Sequence, residues 1–398
     1  MKKGEIRIGT SGWLYKHWRA TFYPKGLPQK DEFEYFSLFF NTVELNNPFY
    51  RLPSRETFEG WKQKSKPDFL YIVKASRYIT HMKKLKDTEA ALELFLNNCD
   101  GLEEKLGPIL FQLPPGWELN IERFETFLKT LPKGYRFAFE FRNETWYHPE
   151  VYKLLKKYKC AFCIYQLAGH MSPIEVTTDF VYLRLHGPTK NKYQGSYDFK
   201  TLKGWAEKSR EWQATGKDVF IYFDNDDSGF AAFNAQVIEM MLNKDEPITR
   251  HEADVLDLVI AAIQQRKLVE FYYESKSGKG WRKVEPYLIA IKDKGKGNIF
   301  FTGYVHPSDE IKRKDDNDNQ GQYLLNKIDL TQFRILDEEF DTMKLDTEVI
   351  FGELKTTRVV YRVVIPKMKK QTSIKKLPLK RSVVAEKTAK NRLTRRSK

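Results

Sequence analysis

The sequence has no apolar run of roughly 18 residues, the length a membrane-spanning helix needs. It also lacks the apolar segment of a secretory signal, because Met1-Lys2-Lys3-Gly4 leads straight into a strand-like run. A cytoplasmic chain with no membrane contact is expected. Cysteine is scarce: Cys99, Cys160 and Cys163 are the three in 398 residues. An odd, sparse set argues against a disulfide framework and fits a reducing compartment. Cys160 and Cys163 have C-x-x-C spacing, but they lie inside an apolar strand-like run rather than at a helix N-terminus. Strand positions three apart face opposite sides, so both are expected to be core residues, not a redox pair. No Gly-x-Gly-x-x-Gly follows the first strand, which weakens a dinucleotide-binding open sheet.

Acidic residues are almost missing from the last segment. Residues 367–398 hold 13 Lys/Arg and a single acid, Glu386, a net +12 that leaves +3 for the rest of a chain whose total is +15. The globular part is therefore nearly balanced. The basic signal belongs to a tail, expected to be disordered and to add electrostatic affinity for nucleic acid or to act only as a solubilising arm. A hydrophobic content of 41% is enough for a sizeable core. A chain of this length is expected to divide that core between two domains.

Eight short runs of apolar and β-prone residues recur: Ile6–Gly9, Thr42–Leu45, Phe69–Val73, Ile109–Gln112, Phe137–Phe141, Ala161–Tyr165, Val181–Leu185 and Val219–Phe223. Near-continuous apolar runs are the pattern of buried parallel strands. Amphipathic segments separate most of them, with an irregular stretch at 168–179. Eightfold strand–helix alternation predicts an α/β fold, a (β/α)8 TIM barrel, over residues 5–242. After Asn243-Lys244-Asp245-Glu246-Pro247 the pattern changes to one helix, Glu252–Arg266, and short strands joined by Gly/Lys- or Asp/Asn-rich turns. A small helix-plus-β-barrel domain is expected over 250–342, a further strand within 343–366, then the tail.

Function in such a barrel sits where strands end. The strand ends carry Thr10-Ser11-Gly12-Trp13, Glu44 with Asn46, Lys74, Gln112, Glu140 with Arg142, Tyr165-Gln166, Arg184 with His186, and Asp224-Asn225-Asp226. Glu140 and Arg184 are flanked by apolar residues, where an unpaired charge is costly. Either a buried ion pair, Glu140 with Arg184 or Arg142, or a polar functional rim explains them. Lys74, Arg142 and Arg184 favour an anionic group. Glu44 and Glu140 suit acid/base work and His186 suits proton transfer. Trp13, Tyr50, Trp146 and Tyr165 offer rings for stacking; Asn46, Gln112 and Asn225 add hydrogen-bonding groups. A divalent metal would draw on Glu44, Glu140, His186 and Asp224, but one rim histidine does not favour it, so no metal ligand is assigned and the cofactor stays open.

These residues fall in longer motifs. They include Ile8-Gly9-Thr10-Ser11-Gly12-Trp13-Leu14-Tyr15, Val43-Glu44-Leu45-Asn46 with Phe49-Tyr50-Arg51-Leu52-Pro53, and Leu106-Gly107-Pro108 through Gln112-Leu113-Pro114. Phe22-Tyr23-Pro24, Ile79-Thr80-His81, Glu140-Phe141-Arg142 with Trp146, Tyr182-Leu183-Arg184-Leu185-His186-Gly187 and Tyr222-Phe223-Asp224-Asn225-Asp226 complete the set. In order over residues 5–242, they closely resemble the YecE-like family, also called domain of unknown function seventy-two. That resemblance implies a TIM barrel and a pocket but no established reaction. The family commonly has Asn-Ser-Thr-Phe-Tyr where this chain has Asn46-Asn47-Pro48-Phe49-Tyr50.

The stretch Lys267-Leu268-Val269-Glu270-Phe271-Tyr272-Tyr273, then Arg282 to Leu288, Gly303-Tyr304, Lys327-Ile328 and Glu338-Glu339-Phe340, resembles a divergent WYL domain, with Ile299-Phe300-Phe301 in place of the naming Trp-Tyr-Leu. The resemblance implies an Sm-like β-barrel of the kind that senses nucleotides or nucleic acid in bacterial proteins. Arg282, Tyr287 and Tyr304 are its candidate ligand-binding residues.

The sequence thus supports an enzyme that hydrolyses an anionic, phosphate-containing or nucleic-acid-derived substrate by acid/base chemistry. Glu140 would be the base, His186 the acid, and Arg142 with Arg184 the anion clamp, under control of the WYL-like domain. The alternatives are a non-enzymatic nucleotide- or nucleic-acid-binding regulator and a scaffold with a decayed pocket.

Overall fold

The computed structural model describes residues 3–19, 22–23, 27–243, 248–275, 278–292, 298–306, 320–340 and 357–362. The tail expected over 367–398 lies outside them. Among the described residues no helix is long and apolar enough to cross a membrane.

The strands of the first sheet are β1 (Ile6–Thr10), β2 (Thr42–Leu45), β3 (Leu70–Lys74), β4 (Leu106–Leu113), β5 (Phe137–Phe141), β6 (Ala161–Leu167), a two-residue β7 (His170–Met171), β8 (Phe180–Leu185) and β9 (Asp218–Phe223). Helices lie between them: α1 (Glu32–Phe36), α2 (Asn47–Tyr50), α3 (Arg55–Lys64), α4 (Glu89–Cys99), α5 (Ile121–Thr130), α6 (Pro149–Lys157), α7 (Phe199–Ala214) and α8 (Phe230–Asn243). The long strands pair in parallel in the order β1-β9-β8-β6-β5-β4-β3-β2, a nearly closed eight-stranded barrel. The short β7 folds back antiparallel on β6 in the stretch expected to be irregular, and no helix forms there.

The last seam, between β1 and β2, closes by side chains and close backbone approach. Thr42 Oγ1 on β2 reaches past β1 to the Tyr222 hydroxyl of β9 at 2.7 Å, and Ser11 Oγ, one residue beyond β1, donates to Glu44 at 2.7 Å. A Cβ on Gly9 would lie 2.5 Å from the Thr42 carbonyl oxygen. Gly9→Ala should therefore push the seam apart and cost about 1–3 kcal/mol. A thermal melt of G9A that overlays the parent would show that the seam tolerates the methyl.

Two apolar cores result from the strand alternation. Ile72, Leu110, Ala138, Ala161, Cys163, Phe180, Tyr182, Phe220 and Tyr222 fill the barrel interior. Their neighbours in sequence, such as Val73, Phe139, Ile164 and Leu183, pack outward under the helices. Cys160 belongs to the outer core and Cys163 to the inner one; both are buried free thiols. Pro48 occupies the first turn of α2, where its fixed φ and missing N–H cost nothing.

After the barrel comes α9 (Arg250–Gln265), which starts on a capping box made by Thr249 and Glu252. An antiparallel sheet follows: β10 (Lys267–Ser275), β11 (Gly278–Lys292), β12 (Ile299–Val305), β13 (Gln320–Leu324), β14 (Phe333–Glu339) and β15 (Thr357–Arg362). Its order is β13-β12-β11-β10-β14, with β15 also on β11. The long β11 pairs β10 with its first half and β12 and β15 with its second, the way a small barrel bends one strand through both of its sides.

Candidate active site

The interior parity that buries Ile72, Ala138, Tyr182 and Tyr222 carries, two residues on, Lys74, Glu140, Arg184 and Asp224 to the C-terminal mouth. On β2 the same step takes Thr42 to Glu44. The result is a layer of charge above an apolar plug. Arg184, wholly buried, is its centre. Its Nη2 donates to Glu44 Oε1 at 2.6 Å and to Asp224 Oδ2 at 3.2 Å, its Nε to Glu44 Oε1 at 3.1 Å, and its Nη1 to Glu140 Oε2 at 2.7 Å. Glu44 also accepts from Ser11 and, at 2.5 Å, from the Tyr182 hydroxyl. Arg142 Nε donates to the other oxygen of Glu140, and its guanidinium lies 4.7 Å from the Tyr165 ring centroid.

These contacts fix the protonation of His186. Its Nε2 faces Arg142 Nη2 at 3.1 Å and Arg184 Nη1 at 3.4 Å, and neither guanidinium can accept. Nε2 must therefore be the bare nitrogen, and Nδ1–H donates to Asp224 Oδ2 at 2.8 Å. Burial, then Arg184 and Arg142, hold the imidazole pKa well below its usual range. Glu140 stays ionised: burial works against its charge, but Arg142, Arg184, His186 and Lys74 together outweigh it and lower its pKa. Burial raises the Asp224 pKa against the pull of Arg184.

Lys74 differs from the other cations. Among the described residues it makes no hydrogen bond or ion pair. Its Nζ sits 4.5 Å from the ring centroid of buried Phe49. Burial first, then Arg184, lowers its pKa to about 8, although Glu140, Glu44 and Asp224 pull the other way. The adjoining His81 is lowered to about 4 by burial and by Lys74, Arg77 and Arg142. One residue past β2, whose last register pair is Leu45 with Val73, Asn46 donates from Nδ2 to the Ser11 carbonyl at 3.2 Å, while its buried Oδ1 has no donor among the described residues.

The structure brings Glu44, Asn46, Lys74, Gln112, Glu140, Arg142, Arg184 and His186 to the inner face of the mouth, with Gln112 in register with Glu140. Three expected members lie elsewhere. Trp13 packs edge-on against Phe33 and Trp61 in the outer core. Trp146 is fully buried against Phe141 and Trp117, with its Nε1 donating to the Trp117 carbonyl at 2.7 Å. Asn225 is out of phase with Asp224 and points outward, where its Nδ2 bonds the Gly195 carbonyl and Asn234, both at 2.8 Å. Tyr50 stands 72% exposed on the mouth beyond Phe49. Tyr182 was not expected at the site, and Ser11 and Asp224 were expected there only as strand-end residues, Asp224 also as a candidate metal ligand. Strand parity, counted two back from Arg184 and two on from Tyr222, marks Tyr182 and Asp224.

Among the described residues no three His, Cys, Asp or Glu side chains are arranged to hold a metal ion, and Arg184 occupies the centre of the three carboxylates. At the opposite end of the barrel, Leu70, Leu106, Pro108, Tyr135, Arg136 and Phe220 line a cavity of about 530 Å³. The polar groups there pair locally, Tyr135 with Asp100 and Arg136 with Asp218. That face serves stability in this architecture.

In the second domain the candidate trio does not converge. Arg282 is cross-strand to Phe271 and shares a face with Val284, the register partner of Val305. Tyr304, next to Val305, points to the other face. Tyr287 is buried.

A parallel eight-stranded barrel with a charged cluster at its C-terminal mouth defines a TIM-barrel protein with a site in the usual place for that fold. Residues 7–255 match the family described as "Protein of unknown function DUF72", and the chain belongs to that family. Residues 254–313 match the WYL domain. The UPF0759 protein YunF of Bacillus subtilis is 26% identical over 269 residues, 59% of this chain and 94% of its own length. A crystal structure of a DUF72 family protein from Thermotoga maritima aligns at TM-score 0.56 with 29% identity, covering 60% of this chain and 100% of that one. A second, from Enterococcus faecalis, aligns at 0.52 with 19% identity, covering 61% and 96%, a likeness of fold.

Proposed function

We propose that the barrel mouth is the active site of an enzyme that hydrolyses a small anionic, phosphate-containing or nucleic-acid-derived substrate, with Lys74 as general base and Arg142 as anion anchor. The observation that carries this reading is the unpartnered amine of Lys74 in a wall of otherwise paired charges, with its pKa lowered to about 8. In its neutral form it accepts the proton of an attacking water while the guanidinium of Arg142 holds the substrate anion. The roles expected of Glu140 and His186 pass to Lys74 for physical reasons. Both oxygens of Glu140 are engaged by arginines, and the free nitrogen of His186 faces two guanidinium groups and has no proton to give. Arg184, occupied by three carboxylates, frames the site rather than clamping the substrate. The WYL domain is the proposed regulatory, ligand-sensing part.

The test is hydrolysis of p-nitrophenyl phosphate and its diester across neutral to alkaline pH. Activity should rise through pH about 8 and fall at least about 100-fold in Lys74→Met. Equal rates for parent and variant would end the proposal. The second reading, a nucleic-acid-binding barrel without catalysis, is favoured by exposed Tyr50, Tyr78 and Tyr193 beside exposed Arg51, Arg77 and Lys190 on the mouth loops. Salt-dependent binding of a single-stranded oligonucleotide with no turnover of either ester would support that reading instead.

A further inference from the structure

The same amine can do more than accept a proton. We infer that Lys74 is a nucleophile that condenses with an aldehyde or ketone bearing a carboxylate or phosphate, forming an imine at the barrel mouth. The inference rests on the reading of Lys74 as the reactive group of the site, and it adds a substrate class and a covalent step.

Three geometric observations carry it. First, Lys74 ends β3 with its side chain inside the barrel mouth and half-buried, so a small molecule entering from the C-terminal face meets it. Second, its nitrogen is free to form a bond. It makes no hydrogen bond or ion pair among the described residues, and it rests on the apolar face of Phe49. A cation placed there for structure alone would be expected to pair with a carboxylate, yet Glu44, Glu140 and Asp224 all turn to Arg184. Third, Asn46, three residues before the Phe49 on which Lys74 rests, holds a buried amide oxygen with no donor among the described residues, an acceptor open to a substrate hydroxyl.

The step balances without an added oxidant or reductant. The Nζ lone pair attacks the carbonyl carbon, and the C=O π electrons move to oxygen, which takes up a proton. The carbinolamine hydroxyl donates to Asn46 Oδ1. Loss of water then forms C=N, the departing oxygen carrying away the two amine hydrogens. Arg142 holds the anionic end of the substrate. The charge state of Lys74 is set by burial and Arg184, which lower its pKa, against Glu140, Glu44 and Asp224, which raise it; Lys74 in turn lowers the pKa of His81 and His186. Burial next to Arg184 keeps a useful fraction of the amine neutral near pH 7, as imine-forming lysines require.

Glyoxylate, the smallest anionic aldehyde, with cyanoborohydride as the trap, tests this on the full-length protein at pH about 7. Peptide mapping should find a carboxymethyl group on Lys74 about tenfold or more faster than on exposed Lys83 or Lys190, because the neutral fraction of an amine grows as its pKa falls. Inorganic phosphate should slow labelling at Lys74 alone. Labelling of Lys74 no faster than of Lys83 and Lys190 would overturn the inference, and so would selectivity that persists in urea. The outcome needs no variant to fold. Phosphate ester hydrolysis that depends on Lys74 without labelling would sink the imine and leave the hydrolytic reading standing. Selective labelling without ester hydrolysis would do the reverse.

Discussion

Arg184→Met is expected to lower the folding stability by about 3–5 kcal/mol, enough to leave little folded protein at moderate temperature. The side chain is wholly buried, and three carboxylates, Glu44, Glu140 and Asp224, close on it. Removing the guanidinium does not merely delete five donors. It leaves like charges inside a barrel lined below by Ile72, Ala138, Tyr182 and Tyr222. Arg142 still holds one oxygen of Glu140, but among the described residues Glu44 keeps only hydroxyl donors, Ser11 and Tyr182. The loss should shrink as pH falls, because the orphaned carboxylates relieve the strain by taking up protons. Arg184→Lys should not preserve the site, since a single ammonium cannot span three carboxylates as a planar fork does. Adding Glu44→Gln to Arg184→Met should recover part of the loss, a coupling that a double-mutant cycle reads directly. Urea unfolding followed by tryptophan fluorescence measures all of it. A change under 1 kcal/mol for Arg184→Met would mean that water, not Arg184, compensates the cluster.

The fold was legible because a parallel barrel buries both faces of its strands. Runs such as Phe137–Phe141 and Val181–Leu185 have no other good explanation, and they appear as β5 and within β8. The ionic centre was legible for the same reason. Glu140 and Arg184 stand between apolar neighbours, where only pairing makes them tolerable, and they pair. What strand position alone does not give is direction at the strand ends. Asn225 and Asp224 are adjacent, and only the count from Tyr222 shows that Asp224 turns inward while Asn225 ties down the loop at Gly195. Trp13 and Trp146 follow strands as a ligand-stacking ring would, but loops that fold back over the helices bury them. The roles were least legible. Lys74 and Arg184 are both strand-end cations, and the difference between a paired cation and a free one lies in side-chain geometry that no spacing encodes. In the second sheet simple alternation separates Arg282 from Tyr304: Arg282 shares a face with Val284, while Tyr304 pairs Glu285 on the other face.

The second large effect is a dependence of stability on pH in which buried His186 has a leading part and His81, its pKa lowered to about 4, adds a loss of the same sign. His186 is buried and neutral in the fold, with its pKa well below the usual value, and it takes up a proton on unfolding below pH about 6.5. A base whose folded pKa is depressed gives stability that is full above its unfolded pKa and is lost as pH falls below it. The protein should therefore lose about 1.4 kcal/mol per pH unit from His186 alone, starting near pH 6.5 and continuing down to the folded pKa. Glu140, also depressed, adds a loss of the same sign below pH about 4.3. Asp224, whose pKa is raised, works in the opposite direction, so the total profile mixes terms. His186→Gln isolates the histidine. Glutamine keeps a donor for Asp224 and an acceptor for Arg142, and it does not titrate. At neutral pH the variant should be somewhat less stable than the parent. As pH falls toward about 5, the gap should close by about 1.4 kcal/mol per unit below 6.5, because only the parent must exclude a proton from the site. Urea unfolding of both proteins at matched pH values gives the two lines. If they stay parallel, His186 carries its proton inside the fold, and the two guanidinium groups beside it do not keep that proton out.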